Sequence, residues 1–302
     1  MKILLLGSNG QLGKAIVDYF NQHVNDKSID LIRTTRKELN LFNLNKCAFF
    51  LRELKPDIVI NAAAYTSVDN AEKEFDKAYL VNAEAPRVIS EILRDIGGNL
   101  IHVSTDYVFS GEKPLPIKTN QNRNPINKYG ESKAKGEKYI EQILFTSDQA
   151  FIMRTSWLLG PVGNNFALTM LRLMNERKEI KVVCDQIGAP TSTSSLARVC
   201  WQIIFKIKDK KNIPQIMHWR DAGVASWYDI AMAIAEIGED IGLIKKKCKI
   251  LPILTKEFFT PAKRPHFSLL ECSETKLALE IEQFYWRETL KEVLLLRNKY
   301  LN

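Results

Sequence analysis

Apolar positions come in short runs separated by stretches with helical spacing. Ile3 to Leu6 is continuously apolar, Gly7-Ser8-Asn9-Gly10 closes the run, and Gln11 to Phe20 follows with a 3.6-residue rhythm. A run of this kind is the pattern of a parallel strand covered on both faces, and the next segment reads as the helix that covers it. The alternation repeats: Leu31-Ile32 as strand, Cys47 to Leu54 as helix, Ile58 to Ile60 as strand after Pro56-Asp57, and Val81 to Ile96 as helix. Leu100 to Val103, Ser132 to Ile143 and Phe151 to Met153 continue it as strand, helix and strand. Repeated β-α units predict an α/β fold, a Rossmann-type doubly wound parallel sheet.

Beyond Trp157 the rhythm loosens. Phe166 to Met174 and Leu196 to Ile207 read as helices around a turn at Gly188-Ala189-Pro190-Thr191; Ser226 caps a helix from Trp227 to Ile237, and Tyr285 to Leu296 is an amphipathic terminal helix. Pro261 to Pro265 reads as an ordered loop. The expectation is a sheet domain over residues 1–160 and a smaller lobe, mainly for substrate, over 161–302, with the chain crossing between them and one cleft shared.

Composition narrows the class. The net charge of +8 is compatible with nucleic acid, an acidic membrane or an anionic small molecule, but the lysines of 206–211 and 245–247 lack interleaved aromatics and read as solvated surface. No segment is apolar for the roughly 20 residues of a membrane span, and the apolar start lacks a signal-peptide cleavage site. Five scattered cysteines, never spaced Cys-x-x-Cys, argue against disulfides and thiolate metal sites, as four unpaired histidines argue against zinc. A cytoplasmic enzyme with no metal residues, no nucleic acid and no membrane partner is expected.

Gly7, Gly10 and Gly13 follow a strand and open a helix, where backbone amides and the helix dipole hold a pyrophosphate. A NAD site would place an acid about 20 residues on, at the end of the second strand. Here stand Arg33-Thr34-Thr35-Arg36, two guanidiniums suited to a 2′-phosphate, which favours NADPH and leaves NADH open. Further along, Tyr129 and Lys133 lie four apart on one helix face. Reducing a ketone requires an acid beside the carbonyl and a donor to polarise it. Tyr129 is the candidate acid, Lys133 the cation expected to stabilise its phenolate, and Thr105, at a strand's carboxyl end, the second donor; Ser104 is the less favoured neighbour.

These residues, with Asn61-Ala62-Ala63-Ala64-Tyr65-Thr66, Ser104-Thr105-Asp106-Tyr107-Val108-Phe109, Tyr129-Gly130-Glu131-Ser132-Lys133, Arg154-Thr155-Ser156-Trp157 and Gly188-Ala189-Pro190-Thr191, resemble the dTDP-4-dehydrorhamnose reductase family of extended short-chain reductases. The resemblance implies reduction of a dTDP-linked 4-ketosugar with NADPH, the last step in making a cell-surface sugar donor. It implies that Gly7, Gly10, Gln11, Leu12, Gly13, Ala62, Ala63, Ala64, Tyr65, Tyr129 and Lys133 line the cofactor, with Val103 through its backbone. Thr105, Asp106 and Trp157 would meet the sugar nucleotide, and Thr105 would tune the acid. It also admits Mg²⁺ and a homodimer. Asn40-Leu41, near the adenine, departs from the family's Asp and apolar residue, as Lys118 and Glu271 depart from acids common in relatives. The alternatives are a reductase or epimerase of another nucleotide-linked 4-ketohexose and a non-catalytic nucleotide-binding regulatory subunit. A dehydratase fits poorly, because Tyr107 stands where its second carboxylate would follow Asp106.

Overall fold

The central strands are apolar throughout because neighbouring residues feed opposite cores. Ile3, Leu5, Ile58, Ile60, Ile101 and Met153 pack into one cluster, while Leu4, Leu6, Val59, Leu100 and Ile152 pack into another. Both faces of the sheet are thus dry, the condition under which parallel strands are stable. The computed structural model describes residues 1–299.

The first half runs β1 (Lys2–Leu6), α1 (Gln11–His23), β2 (Asp30–Thr34), α2 (Leu44–Leu54), β3 (Ile58–Asn61), two short helices α3 (Val68–Ala71) and α4 (Phe75–Tyr79), α5 (Ala85–Ile96), β4 (Asn99–Thr105), α6 (Lys128–Leu144) and β5 (Ala150–Thr155). The helix expected over Val81 to Ile96 is interrupted: Leu80–Glu84 forms a π turn that leads into α5. The α6 helix starts before Ser132, because the Asn127 side chain accepts from the backbone N–H of Gly130 at 2.8 Å and caps it. Tyr129 consequently stands in its first turn.

The second half holds β6 (Leu158–Leu159), α7 (Phe166–Glu176), β7 (Glu179–Val183), β8 (Ile187–Gly188), β9 (Thr191–Ser192), α8 (Thr193–Lys208), β10 (Ile216–Trp219), β11 (Ala225–Ser226), α9 (Trp227–Asp240), β12 (Lys249–Ile253), α10 (Ser273–Leu279) and α11 (Trp286–Lys299). The six-stranded parallel sheet has the order β10-β5-β4-β3-β1-β2. Strand order reverses between β1 and β3, and ligands of open α/β sheets bind outside the strand ends at such a switch point.

Beyond residue 160 the chain crosses back to the first layer. β10 pairs with β5, and α8 packs with α1 in the core beneath the sheet, so part of the 161–302 stretch completes the first layer. The remainder, α7, α9, α11 and the β7–β12 pair, surrounds its own apolar cluster. No helix among the described residues is long and apolar enough to cross a membrane.

Candidate active site

The strand ends and the second lobe enclose a cavity of about 940 Å³. At its floor the chain leaves β1 through Gly7, at φ +77°, and turns into α1. A Cβ on Gly13 would lie 2.2 Å from the Gly7 carbonyl oxygen, so only glycine lets the helix start against the turn. Gly13 therefore shapes the turn without lining the cavity, whereas Gly7, Gly10, Gln11 and Leu12 do line it. Ala62, Ala63, Ala64 and Tyr65, after β3, form the adjacent wall with Val103, and Arg36, Asn40, Leu41 and Phe42 form the far end. The Arg36 guanidinium lies over the Phe42 ring, 5.0 Å from its centroid. Arg33 is exposed on the edge strand β2 and does not line the cavity; alternation along the strand sends Thr34, not Arg33, inward.

Tyr129, Lys133, Thr105 and Asp106 converge on the other side of the same cavity. Burial pushes the Tyr129 phenol up to about 12; the neighbouring Thr105 hydroxyl opposes this and the Asp106 carboxyl adds to it. Lys133 is not among the groups that shift the phenol. Lys133 Nζ instead donates to the Val103 carbonyl at 2.7 Å and lies 3.1 Å from His102 Nε2, and burial lowers its own pKa to about 8. His102, read from sequence as one of four structural histidines, is thus the neighbour of the lysine. Its other ring nitrogen meets Asn61 Nδ2 at 3.2 Å, and burial with the nearby lysine charge holds the ring neutral.

Ser104 turns away from the cavity's acid. Its hydroxyl donates to Glu137 Oε1 at 2.5 Å, inside a buried network where Arg154 Nη2 meets Glu137 Oε2 at 2.7 Å and Arg123 Nη1 meets it at 3.0 Å. Burial alone would raise the Glu137 pKa, but Arg154, Ser104 and Arg123 bring it below the usual range. The network bolts α6 to β4 and β5, and so fixes the height of Tyr129 and Lys133; removing one partner of such a pair typically costs about 3–5 kcal/mol.

Thr105 ends β4 as the cap of a single 3-10 turn, Asp106–Val108, accepting from the Tyr107 N–H at 3.2 Å. Its hydroxyl donates to Asp106 Oδ1 at 3.0 Å. Asp106 is 2% exposed, and its Oδ2 has no hydrogen-bond partner among the described residues. Burial raises this carboxyl to about 7, against the lowering effect of the Ser268 and Thr105 hydroxyls. The Tyr107 ring meets Tyr129 edge-on at 5.7 Å.

The second lobe supplies a wall that sequence reasoning found only in part. Trp157 stacks on Trp227 with centroids 3.9 Å apart, and Phe166 leans on Trp227 at 4.6 Å. Trp157 holds φ +47°, a left-handed conformation costly for a bulky residue, which aims its ring at that stack. Asn165 Nδ2 donates to Gln11 Oε1 at 2.6 Å, and Gln11 Nε2 to the Asn164 carbonyl at 3.2 Å, tying the glycine turn to the second lobe. Trp227, Phe166, Tyr107 and His102 were not read from the sequence as site residues; the Ser226 cap and the run Gly163-Asn164-Asn165-Phe166 were the signals available. Among the described residues no cluster of His, Cys, Asp or Glu is suited to hold a metal ion.

Residues 1–298 match the family described as RmlD substrate binding domain. The spore coat polysaccharide biosynthesis protein SpsK of Bacillus subtilis is 37% identical over 293 residues, covering 97% of this chain and 96% of that protein. The dTDP-4-dehydrorhamnose reductase of Aggregatibacter actinomycetemcomitans is 36% identical, covering 97% of this chain and 98% of its own length. Among solved structures, the dTDP-4-dehydrorhamnose reductase of Bacillus anthracis in complex with NADP superposes with a TM-score of 0.87 at 35% identity, covering 97% of this chain and 98% of that one.

Proposed function

The chain belongs to the RmlD substrate binding domain family, and from that premise we propose that it is an NADPH-dependent dTDP-4-dehydrorhamnose reductase, turning dTDP-4-dehydro-L-rhamnose into dTDP-L-rhamnose. The observation that carries this reading is the convergence of Tyr129, Thr105 and Lys133 on the cavity that the glycine turn opens into. The cradle fits a dinucleotide: Gly7 and Gly13 leave room for close backbone approach at the start of α1, where amides and dipole favour a pyrophosphate. Bound there, NADPH supplies hydride to the carbonyl carbon. Arg36, which lines the cavity, is the cation for its 2′-phosphate, and Arg33 lies outside the cavity.

Tyr129 donates its phenolic proton to the carbonyl oxygen, and Thr105 donates a second hydrogen bond that polarises the same oxygen. Lys133, tethered by Val103 and His102, presents its amine to the dinucleotide ribose. The stacked Trp157–Trp227 wall is the apolar surface for the nucleotide-linked sugar, offering it aromatic faces. The test is to mix the purified protein with NADPH and dTDP- or UDP-linked 4-ketosugars, following nicotinamide absorbance and product stereochemistry. Rapid NADPH oxidation with formation of dTDP-L-rhamnose is expected; turnover confined to a UDP-sugar, or a C5 epimer without NADPH loss, would replace the reading.

A further inference from the structure

The side chain that opens α1 does not stay with its helix. Gln11 follows Gly10, which has no side chain to cap the helix end, and its backbone lies where the dinucleotide's pyrophosphate is expected. Its amide crosses to the second lobe: Oε1 accepts from Asn165 Nδ2 at 2.6 Å and Nε2 donates to the Asn164 carbonyl at 3.2 Å, 154 and 153 positions along the chain. Both amide protons of Asn165 are used. The other goes to the Gly160 carbonyl at 2.8 Å, and the Asn165 oxygen accepts from the Leu168 N–H at 3.0 Å, capping α7. The link between β6 and α7 also closes round the glutamine. A Cβ on Gly163, at φ +78°, would lie 2.9 Å from Gln11 Cγ, so any other residue there would press the side chain aside. Phe166, next in the chain after Asn165, leans on Trp227, which stacks on Trp157. Contacts therefore run without a gap from the cofactor turn to the aromatic wall.

We propose that Gln11 and Asn165 form a spacer that sets the distance between the glycine turn and the sugar-nucleotide wall, and that hydride transfer depends on it more than the affinity for either ligand does. The inference rests on the reductase reading above and adds two positioning residues to it. The amides at the start of α1 hold the dinucleotide, and the wall holds the sugar nucleotide. The separation of these two supports then governs how nicotinamide and carbonyl carbon meet. In the reaction the carbonyl carbon gains hydride from the reduced dinucleotide, which leaves oxidised, and the carbonyl oxygen takes the Tyr129 proton. A displacement of about 1 Å between reactants can cost about 10²-fold in rate, whereas the contacts that bind each ligand to its own support survive it. A pair of side-chain amides suits this task, because shortening one of them moves the start of α7 and leaves the glycines and tryptophans in place.

Asn165→Ser keeps a capping oxygen for α7 and loses the donor to Gln11. The purified variant is expected to bind NADP⁺ and dTDP, each titrated by calorimetry, within about 3-fold of wild type, while single-turnover oxidation of NADPH by the dTDP-linked 4-ketosugar slows ~10-fold or more. Deuterium at the transferred position of NADPH should then slow steady-state turnover more in the variant than in wild type, because hydride transfer has become the slow step. Gly163→Ala presses on Gln11 and removes no hydrogen-bonding group; it should show the same split, and it decides if Asn165→Ser does not fold. Single-turnover rates at the wild-type level in both variants overturn the spacer. So does a loss confined to NADP⁺ or dTDP affinity, which would make Asn165 a ligand contact. An unchanged isotope effect beside a lowered melting temperature overturns it as well, leaving only a brace for α7. Wild type that oxidises no NADPH with any ketosugar removes the reductase reading and the spacer with it, whereas wild type that turns over no faster than the variants removes the spacer alone.

Discussion

The two ends of the cavity are built in opposite ways. The glycine-turn end comes from short contiguous stretches at successive strand ends, Gly7 to Leu12 and Ala62 to Tyr65, each placed by a strand buried on both faces. The Trp157 end is assembled from Trp157, in the link between β5 and β6, Phe166 of α7 and Trp227 of α9, which meet through aromatic stacking. The first end is therefore rigid scaffold, fixed by sheet hydrogen bonds. The second depends on a strained backbone at Trp157 and on the docking of helices, the kind of surface that can change its ligand without disturbing the reductant.

Three substitutions sharpen or break that contrast. Tyr129→Phe stands where the ends meet and should cost the most: turnover falls by about 10³ or more while NADP affinity, measured by fluorescence titration, stays within a few-fold. Turnover near wild type would remove the phenol from its role. Trp227→Ala should act at one end alone, raising KM for the sugar nucleotide about 10-fold with unchanged KM for NADPH. An equal effect on both constants would mean that the stack supports the whole cavity. Arg36→Ala should act at the other end and do the least, lowering the NADPH-to-NADH preference several-fold, with Arg33→Ala leaving it unchanged; the reverse result would put the 2′-phosphate on β2.

The same contrast explains what could be read from the sequence. Ile3 to Leu6, Ile58 to Ile60 and Leu100 to Val103 announce themselves because a strand covered on both sides needs an uninterrupted apolar run. Tyr129 and Lys133 were legible because helical spacing alone puts them on one face. His102 was not, since nothing in a strand's sequence says which helix will lower a lysine onto its ring. The direction of Lys133 was not legible for a related reason: the Tyr–Lys spacing is local, but the orientation of Nζ follows from the Val103 carbonyl and the imidazole, both tertiary. Trp227 was placed correctly on a capped helix, yet the destination of its ring depends on Trp157, 70 residues earlier in the chain.

β10 also bears on how the protein is made. Until residues 216–219 have been synthesised, β5 has its backbone amides and carbonyls facing outward on one side, a free edge ready to recruit any passing extended peptide. A fragment ending at residue 160 keeps that edge for good and also loses the helix that shields α1. Such a fragment should precipitate where the whole chain stays dispersed, so the reductant end cannot be harvested as a stand-alone module.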